Sequence, residues 1–204
     1  MEVDIMLIKK AEFVTSVANP NRVNEFNKPE IAFVGRSNVG KSSLINAMCN
    51  RQKLAKASAT PGRTRLVNYF VINNAFHLVD LPGYGYALAS KKEQAEWQQL
   101  IGGYLENSPN LRHVFVLVDI RHQPNDNDKL MLNYLYTYQM PFSVIATKLD
   151  KLKPSEVSRQ MQLLASTLGI GTADILPVSS AKKTNIDKIL SKLDEILEED
   201  LREK

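Results

Sequence analysis

Eight consecutive residues, Gly35-Arg36-Ser37-Asn38-Val39-Gly40-Lys41-Ser42, carry the spacing G-x-x-x-x-G-K-S. The glycines permit backbone angles and a close approach that a Cβ would block. Successive N–H groups then converge on phosphate oxygens, and the positive end of a following helix adds to the attraction. Lys41 is long enough to reach the β- and γ-phosphates of a nucleotide, and the Ser42 hydroxyl is a ligand type suited to Mg²⁺. Thirty-eight residues beyond Ser42 comes Asp80-Leu81-Pro82-Gly83. A carboxylate at Asp80 holds Mg²⁺ through water, and the Gly83 N–H bonds a γ-phosphate. Between them lies Thr60-Pro61-Gly62-Arg63-Thr64-Arg65. A threonine there completes the Mg²⁺ shell while a γ-phosphate is present, and hydrolysis removes the reason for the loop to be ordered. Thr60 and Thr64 are the candidates, and Thr64, nearer the next strand, is favoured.

A second group of residues has the chemistry to read a base. Thr147-Lys148-Leu149-Asp150 ends in a carboxylate that accepts from the N1–H and exocyclic amine of guanine. Adenine would leave that carboxylate unpaired, which discriminates on the order of 10⁴-fold. The stem of Lys148 packs on a ring plane. Val178-Ser179-Ser180-Ala181-Lys182 offers backbone N–H groups to a guanine carbonyl. T-K-x-D and S-S-A-K are each unspecific; their order along the chain gives them weight.

These residues need strands and helices to bring them together. Glu30–Val34, Val67–Ile72, Phe76–Leu81, His113–Ile120, Phe142–Thr147 and Ile175–Val178 read as strands, with Asn73-Asn74-Ala75 closing a hairpin. Continuous apolar runs such as HVFVLVDI are typical of strands buried on both faces. Lys41–Asn50, Glu93–Leu105, Asp126–Tyr138, Ser155–Leu168 and Asn185–Leu201 read as helices, with Ser155 as an N-cap. Trp97, Leu100, Ile101 and Tyr104 form one apolar stripe, read as core. Ile5–Ala18 fits either a helix or an edge strand. The alternation implies a doubly wound α/β sheet, whose sites lie beyond the carboxyl ends of the strands. Each motif above follows a strand.

Of the 204 residues, 44% are hydrophobic and 24% charged, which fits a soluble globular chain and excludes a disordered one. No stretch is apolar for the roughly 18 residues a membrane span needs, and no signal peptide is recognisable. Cys49 is the one cysteine, so no intrachain disulfide forms, a reducing cytoplasm fits, and a buried thiol is the plain reading. Net charge is +4, but Ile31–Val79 holds seven Lys or Arg and no acid. Arg51, Lys53, Lys56, Arg63 and Arg65 crowd into that segment, a block suited to phosphates.

The order G-x-x-x-x-G-K-S, T-P-G-R-T, D-L-P-G, T-K-x-D, S-S-A-K resembles a small GTPase of the translation-factor-related class. Fuller stretches, GRSNVGKSSL (35–44), TPGRTR (60–65), DLPGYGYA (80–87) and DIRHQP (119–124), resemble the EngB family of bacterial GTPases. The resemblance spans nearly the whole chain. It implies a single α/β P-loop GTPase domain over 29–204, with residues 1–28 as an N-terminal extension packed on it. The sheet would be six-stranded and mostly parallel, with one antiparallel hairpin strand and helices on both faces. It also implies GTP and Mg²⁺ binding, slow hydrolysis, and work in large ribosomal subunit assembly, in the cytoplasm and as a monomer, with a part in cell division and septation. The expected partner is a large-subunit precursor, through its rRNA and ribosomal proteins, with the basic loop presented to RNA phosphates. The alternative is a division-site interaction protein in which GTP is mainly structural.

By the match of motifs, Ser42 and Thr64 are carried over as Mg²⁺ ligands. The nucleotide contacts carried over are Gly35–Ser42; Gly62, Arg63, Thr64, Arg65 and Leu66; Asp80, Leu81, Pro82 and Gly83; Thr147, Lys148, Leu149 and Asp150; and Val178, Ser179 and Ser180. Lys41, Thr64 and Gly83 are the expected catalytic set. Thr147 replaces the asparagine usual in GTPases. Tyr84 stands where many GTPases place a glutamine that orients water, so slow intrinsic turnover is expected. Some related GTPases use an asparagine at the place of Asn38 to hold K⁺ against the phosphates, and Arg63 or Arg65 acting in cis is the other compensation. Arg121 and His122 are read as bracing a loop or meeting a partner. His77 and His113 are read as structural.

Overall fold

Side chains alternate between faces along a strand, so a run that is apolar at every position is stable only when both faces are covered. The computed structural model describes residues 6–18, 27–55, 66–84 and 91–202, with side chains except at 91–98 and 200–202. In it the apolar runs become β2 (Glu30–Gly35), β4 (Phe76–Asp80), β5 (Leu111–Asp119) and β6 (Phe142–Thr147), joined by β1 (Ala11–Val17), β3 (Val67–Ile72) and β7 (Ile175–Pro177). The sheet order is β1-β3-β4-β2-β5-β6-β7. Strands β4, β2, β5, β6 and β7 pair in parallel, whereas β3 is antiparallel to both β1 and β4. β3 is thus the strand that runs against the others.

The helices are α1 (Lys41–Met48), α2 (Lys91–Asn107), α3 (Asp126–Thr137), α4 (Pro154–Leu168) and α5 (Ile186–Arg202). Alternate residues of β2 feed two cores. Ala32 and Val34 join Val114, Val116, Tyr104, Leu132 and Leu164 on the face of α2, α3 and α4. Ile31 and Phe33 join Phe115, Leu117, Leu44, Ile189 and Leu193 on the face of α1 and α5. Phe33 and Phe115 meet at 5.1 Å between ring centroids. Each such buried side chain contributes about 1.5–3 kcal/mol. Leu100, Ile101 and Tyr104 are buried as expected of a core stripe; the Trp97 side chain lies outside the described ones. Cys49 is buried, and that burial pushes its thiol up to about 11.

Two expectations need correction. The sheet has seven strands, not six, and the added one is β1 at the edge. Only its ends, Ala11 and Val17, are buried, while Phe13 and Val14 are 54% and 40% exposed. A register shift between Phe13 and Thr15 further breaks the period-two pattern by which a strand is recognised. What places β1 is long-range. Asn73 and Asn74 close the β3–β4 turn at φ 49 and 56. The Asn73 side chain accepts from the Lys9 and Lys10 N–H groups and donates to the Leu7 carbonyl. The second correction is at α4. Its first residue is Pro154, so Lys153 rather than Ser155 is the N-cap, and the Glu156 carboxylate accepts from the Lys153 N–H at 2.8 Å. Proline fits that first position because its missing N–H would be unpaired there anyway.

Candidate functional site

All parallel strands point their carboxyl ends at one edge, and the motif residues collect along it. β2 ends at Gly35, and the chain passes Asn38 at φ 63 and Gly40 at φ 108 before α1 begins. Gly40 is the N-cap of α1, and its left-handed backbone strains any residue with a side chain. The Lys41 ammonium, leaving the first turn, pairs with the Asp80 carboxylate at the end of β4. Both side chains are nearly enclosed. The loop of Gly35–Ser42 and the D-L-P-G run are therefore one unit. Leu81 is fully buried and Gly83 is half-buried.

The β6 end is tied to that unit by two side chains. The Thr147 hydroxyl lies 2.7 Å from the Val39 carbonyl and 3.1 Å from that of Val118. A hydroxyl at this position thus holds the end of β6 against the loop that follows β2. Lys148, at φ 65, donates to the Asn38 carbonyl at 2.8 Å and pairs with Asp119 at 2.8 Å. Arg121 closes on the same carboxylate with a two-pronged fork, 2.9 and 2.7 Å. Burial pushes the Asp119 carboxyl up, but the bonds from Arg121 and Lys148 outweigh it and hold it well below the usual carboxylate range. Lys148 is thereby aimed by an ionised partner. Asp119 in this role was missed in the sequence, because Lys148 reaches it from the end of the next strand; Arg121, left open between bracing a loop and meeting a partner, closes on Asp119.

Asp150 stands in a short 3-10 turn, Leu149–Lys151, after β6. The Ser179 hydroxyl donates to its Oδ1 at 2.6 Å, and this bond, more than any other influence, lowers the Asp150 carboxyl below its ordinary value. Asp150 is therefore a carboxylate at neutral pH, oriented from β7's far side. The Val178 N–H donates to the Ala146 carbonyl and the Ser179 N–H to the Thr184 carbonyl. The side-chain role of Ser179 was not apparent from the sequence; the pairing of a hydroxyl and a carboxylate after adjacent strands is the signal that would have found it.

Leu66 is described and half-buried, immediately before β3. Gly62, Arg63, Thr64 and Arg65, with Thr60, lie outside the described residues. His122 lines a shallow cleft of about 110 Å³ with Arg36, Asn38, Gln123 and Asp128. His77 and His113 are buried within strands. Among the described residues no three His, Cys, Asp or Glu gather into a metal cluster, and no helix is long and apolar enough to cross a membrane.

A mostly parallel sheet with G-x-x-x-x-G-K-S after β2, D-x-x-G after β4, T-K-x-D after β6 and S-S-A-K after β7 has the layout of a P-loop GTPase. Residues 30–148 match the family described as 50S ribosome-binding GTPase. The chain is 51% identical over 189 residues to the "Probable GTP-binding protein EngB" of Clostridium acetobutylicum, covering 92% of this chain and 94% of that one. It is 45% identical over 195 residues to the protein of the same name from Alkaliphilus metalliredigens, covering 95% and 94%. A crystal structure of a "probable GTP-binding protein engB" superposes with a TM-score of 0.69 at 26% identity, over 83% of this chain and 99% of that one. The chain belongs to the EngB family of GTP-binding proteins.

Proposed function

We propose that the chain binds GTP and GDP with Mg²⁺, hydrolyses GTP slowly, and uses the difference between the two states as a switch in large ribosomal subunit assembly in the cytoplasm, with cell division and septation depending on it. The observation that carries this reading is the join made by Lys148. One ammonium links the Asn38 carbonyl of the phosphate loop to the strand end that presents Asp150. Phosphate binding and base reading are therefore set at a fixed separation, as a nucleotide requires.

In this reading Gly35–Ser42 wrap the phosphates, and Lys41 meets the β- and γ-phosphates. Gly83 gives its N–H to the γ-phosphate. Lys148 covers the base, Asp150 accepts from guanine, and Ser180 donates to its carbonyl. The Ser42 hydroxyl and the Asp80 carboxylate are hard oxygen donors close to Lys41, and they suit Mg²⁺, which keeps waters and takes few protein ligands. Thr64 adds a third. Mg²⁺, when bound, neutralises charge developing on the phosphate oxygens. The Tyr84 ring is buried and its hydroxyl is given to Asp128, so it orients no water, which is why turnover is slow. Asn38 would hold K⁺ at the phosphate loop, where the ion would supply the missing positive charge.

For the partner, support comes from charge and from the ribosome-binding description of the matched family. Lys183 donates to Asn50 at 2.8 Å and draws the loop after α1 against the loop after β7. Arg51, Lys53, Lys182 and Lys183 are all exposed there. Lys56, Arg63 and Arg65 lie outside the described residues. Such a surface favours RNA phosphates and weakens with salt. The test is sedimentation on sucrose gradients with a non-hydrolysable GTP analogue or GDP. Cosedimentation with large-subunit precursors in the GTP state, released by salt, is expected. Equal cosedimentation in both states would instead support an interaction protein in which GTP is structural.

A further inference from the structure

Tyr84 occupies the position after D-L-P-G, and its three bonds tie two parts of the site together. Its N–H donates to the Gly35 carbonyl at 3.2 Å, and its own carbonyl accepts from the Ser37 N–H at 3.1 Å. The ring turns inward, and its hydroxyl donates to Asp128 Oδ1 at 2.9 Å. Tyr84 is 5% and Asp128 2% exposed. Asp128 is itself fixed: its Oδ2 accepts from the Asn125 N–H at 2.9 Å, and Asn125 caps α3 by accepting from the N–H groups of Asn127 and Asp128. Tyr84 thus joins the first turn of α3, through its side chain, to the phosphate loop, through its backbone.

Gly83 is the residue this arrangement controls. A Cβ built on it would stand 3.1 Å from the Ser37 nitrogen and 3.2 Å from the Gly35 carbonyl oxygen. The backbone at Gly83 therefore packs closely against Gly35 and Ser37, leaving no room for a side chain. We propose that Tyr84 is a positioning residue: through its hydroxyl bond to Asp128 it fixes the height of the Gly83 N–H above the phosphate loop, and so sets how strongly the protein prefers a triphosphate to a diphosphate. A tyrosine at the glutamine position acquires a use that orienting water does not describe. This rests on the reading that Gly83 meets a γ-phosphate. α3 then senses the nucleotide state through one buried bond.

The test compares affinity for a fluorescent non-hydrolysable GTP analogue and for the matching GDP in the full chain. Tyr84→Phe keeps the ring and removes the donor. Its affinity for the GTP analogue is expected to fall at least about fivefold, as for loss of one hydrogen bond to a charged group, while GDP affinity stays within about twofold. Asp128→Ala removes the acceptor and keeps the ring; it also removes the α3 cap bond from the Asn125 N–H, so its selective loss is expected to be at least that of Tyr84→Phe, and it supplies a second reading should Tyr84→Phe fold poorly. In the double variant the loss is no greater than in Asp128→Ala alone, because that substitution has already removed the Tyr84 bond. Equal loss for both nucleotides, no loss, or additive losses would overturn the proposal. A wild-type chain that binds neither nucleotide would overturn the guanine-nucleotide reading itself.

Discussion

The ammonium of Lys148 donates to the backbone carbonyl of Asn38 across 2.8 Å, between residues 110 positions apart in the chain. The same nitrogen is held by Asp119, whose carboxylate is in turn gripped by Arg121. A charged donor aimed by a fixed anion stabilises the loop at Asn38, a residue with a side chain held at positive φ. Lys148→Met keeps most of the stem and removes the charge. Its nucleotide affinity is expected to fall about 10- to 100-fold, the worth of a charge-assisted bond, for GTP and GDP alike. Fluorescent nucleotide titration measures it, and an unchanged affinity would mean the join is incidental.

His113 gives a pH dependence with a definite sign. It is buried in β5 with its Nε2 3.0 Å from the Ser143 hydroxyl, and burial, helped by the charge of Lys192, lowers it to about 4. The unfolded chain binds a proton near the ordinary histidine value of about 6.5, and the folded one does not until near 4. The neutral ring therefore contributes stability that is complete above about 6.5 and is lost as pH falls toward 4, to the extent of roughly 3 kcal/mol. Urea midpoints between those limits should fall with pH in the wild type and fall less in His113→Gln. Parallel curves would show that another group is responsible.

Asn38 is exposed beside the phosphate loop, and the K⁺ reading of it has a simple consequence. Turnover in KCl is expected to exceed that in NaCl at equal ionic strength, and Asn38→Ala to abolish the difference. Equal rates in the two salts would remove the ion from the account.

How much of this was legible in the sequence depended on range. The runs of β2, β5 and β6 are apolar at nearly every position, so their burial and parallel pairing could be read locally. β1 could not, because Phe13 and Val14 face outward and what holds the strand is β3 and Asn73, more than 50 residues away. The site divides in the same way. Lys41, Asp80 and Asp150 were legible because their spacing is contiguous with a motif. The hydroxyl of Ser179 on Asp150, the carboxylate of Asp119 on Lys148 and the inward turn of Tyr84 onto Asp128 each join separate elements. No local pattern records such contacts, since they exist only once the sheet has aligned its strand ends.

The central claim is that Lys41 and the loop around it grip a nucleotide whose base Asp150 accepts only as guanine. Calorimetry of the wild type and of Asp150→Asn tests it most directly. The wild type should give heat with GTP and GDP and none with ATP, and Asp150→Asn should lose guanine nucleotides and gain xanthosine nucleotides, whose ring carbonyl meets the new amide. Absence of heat with GTP and GDP, or equal heat with ATP, would contradict the account.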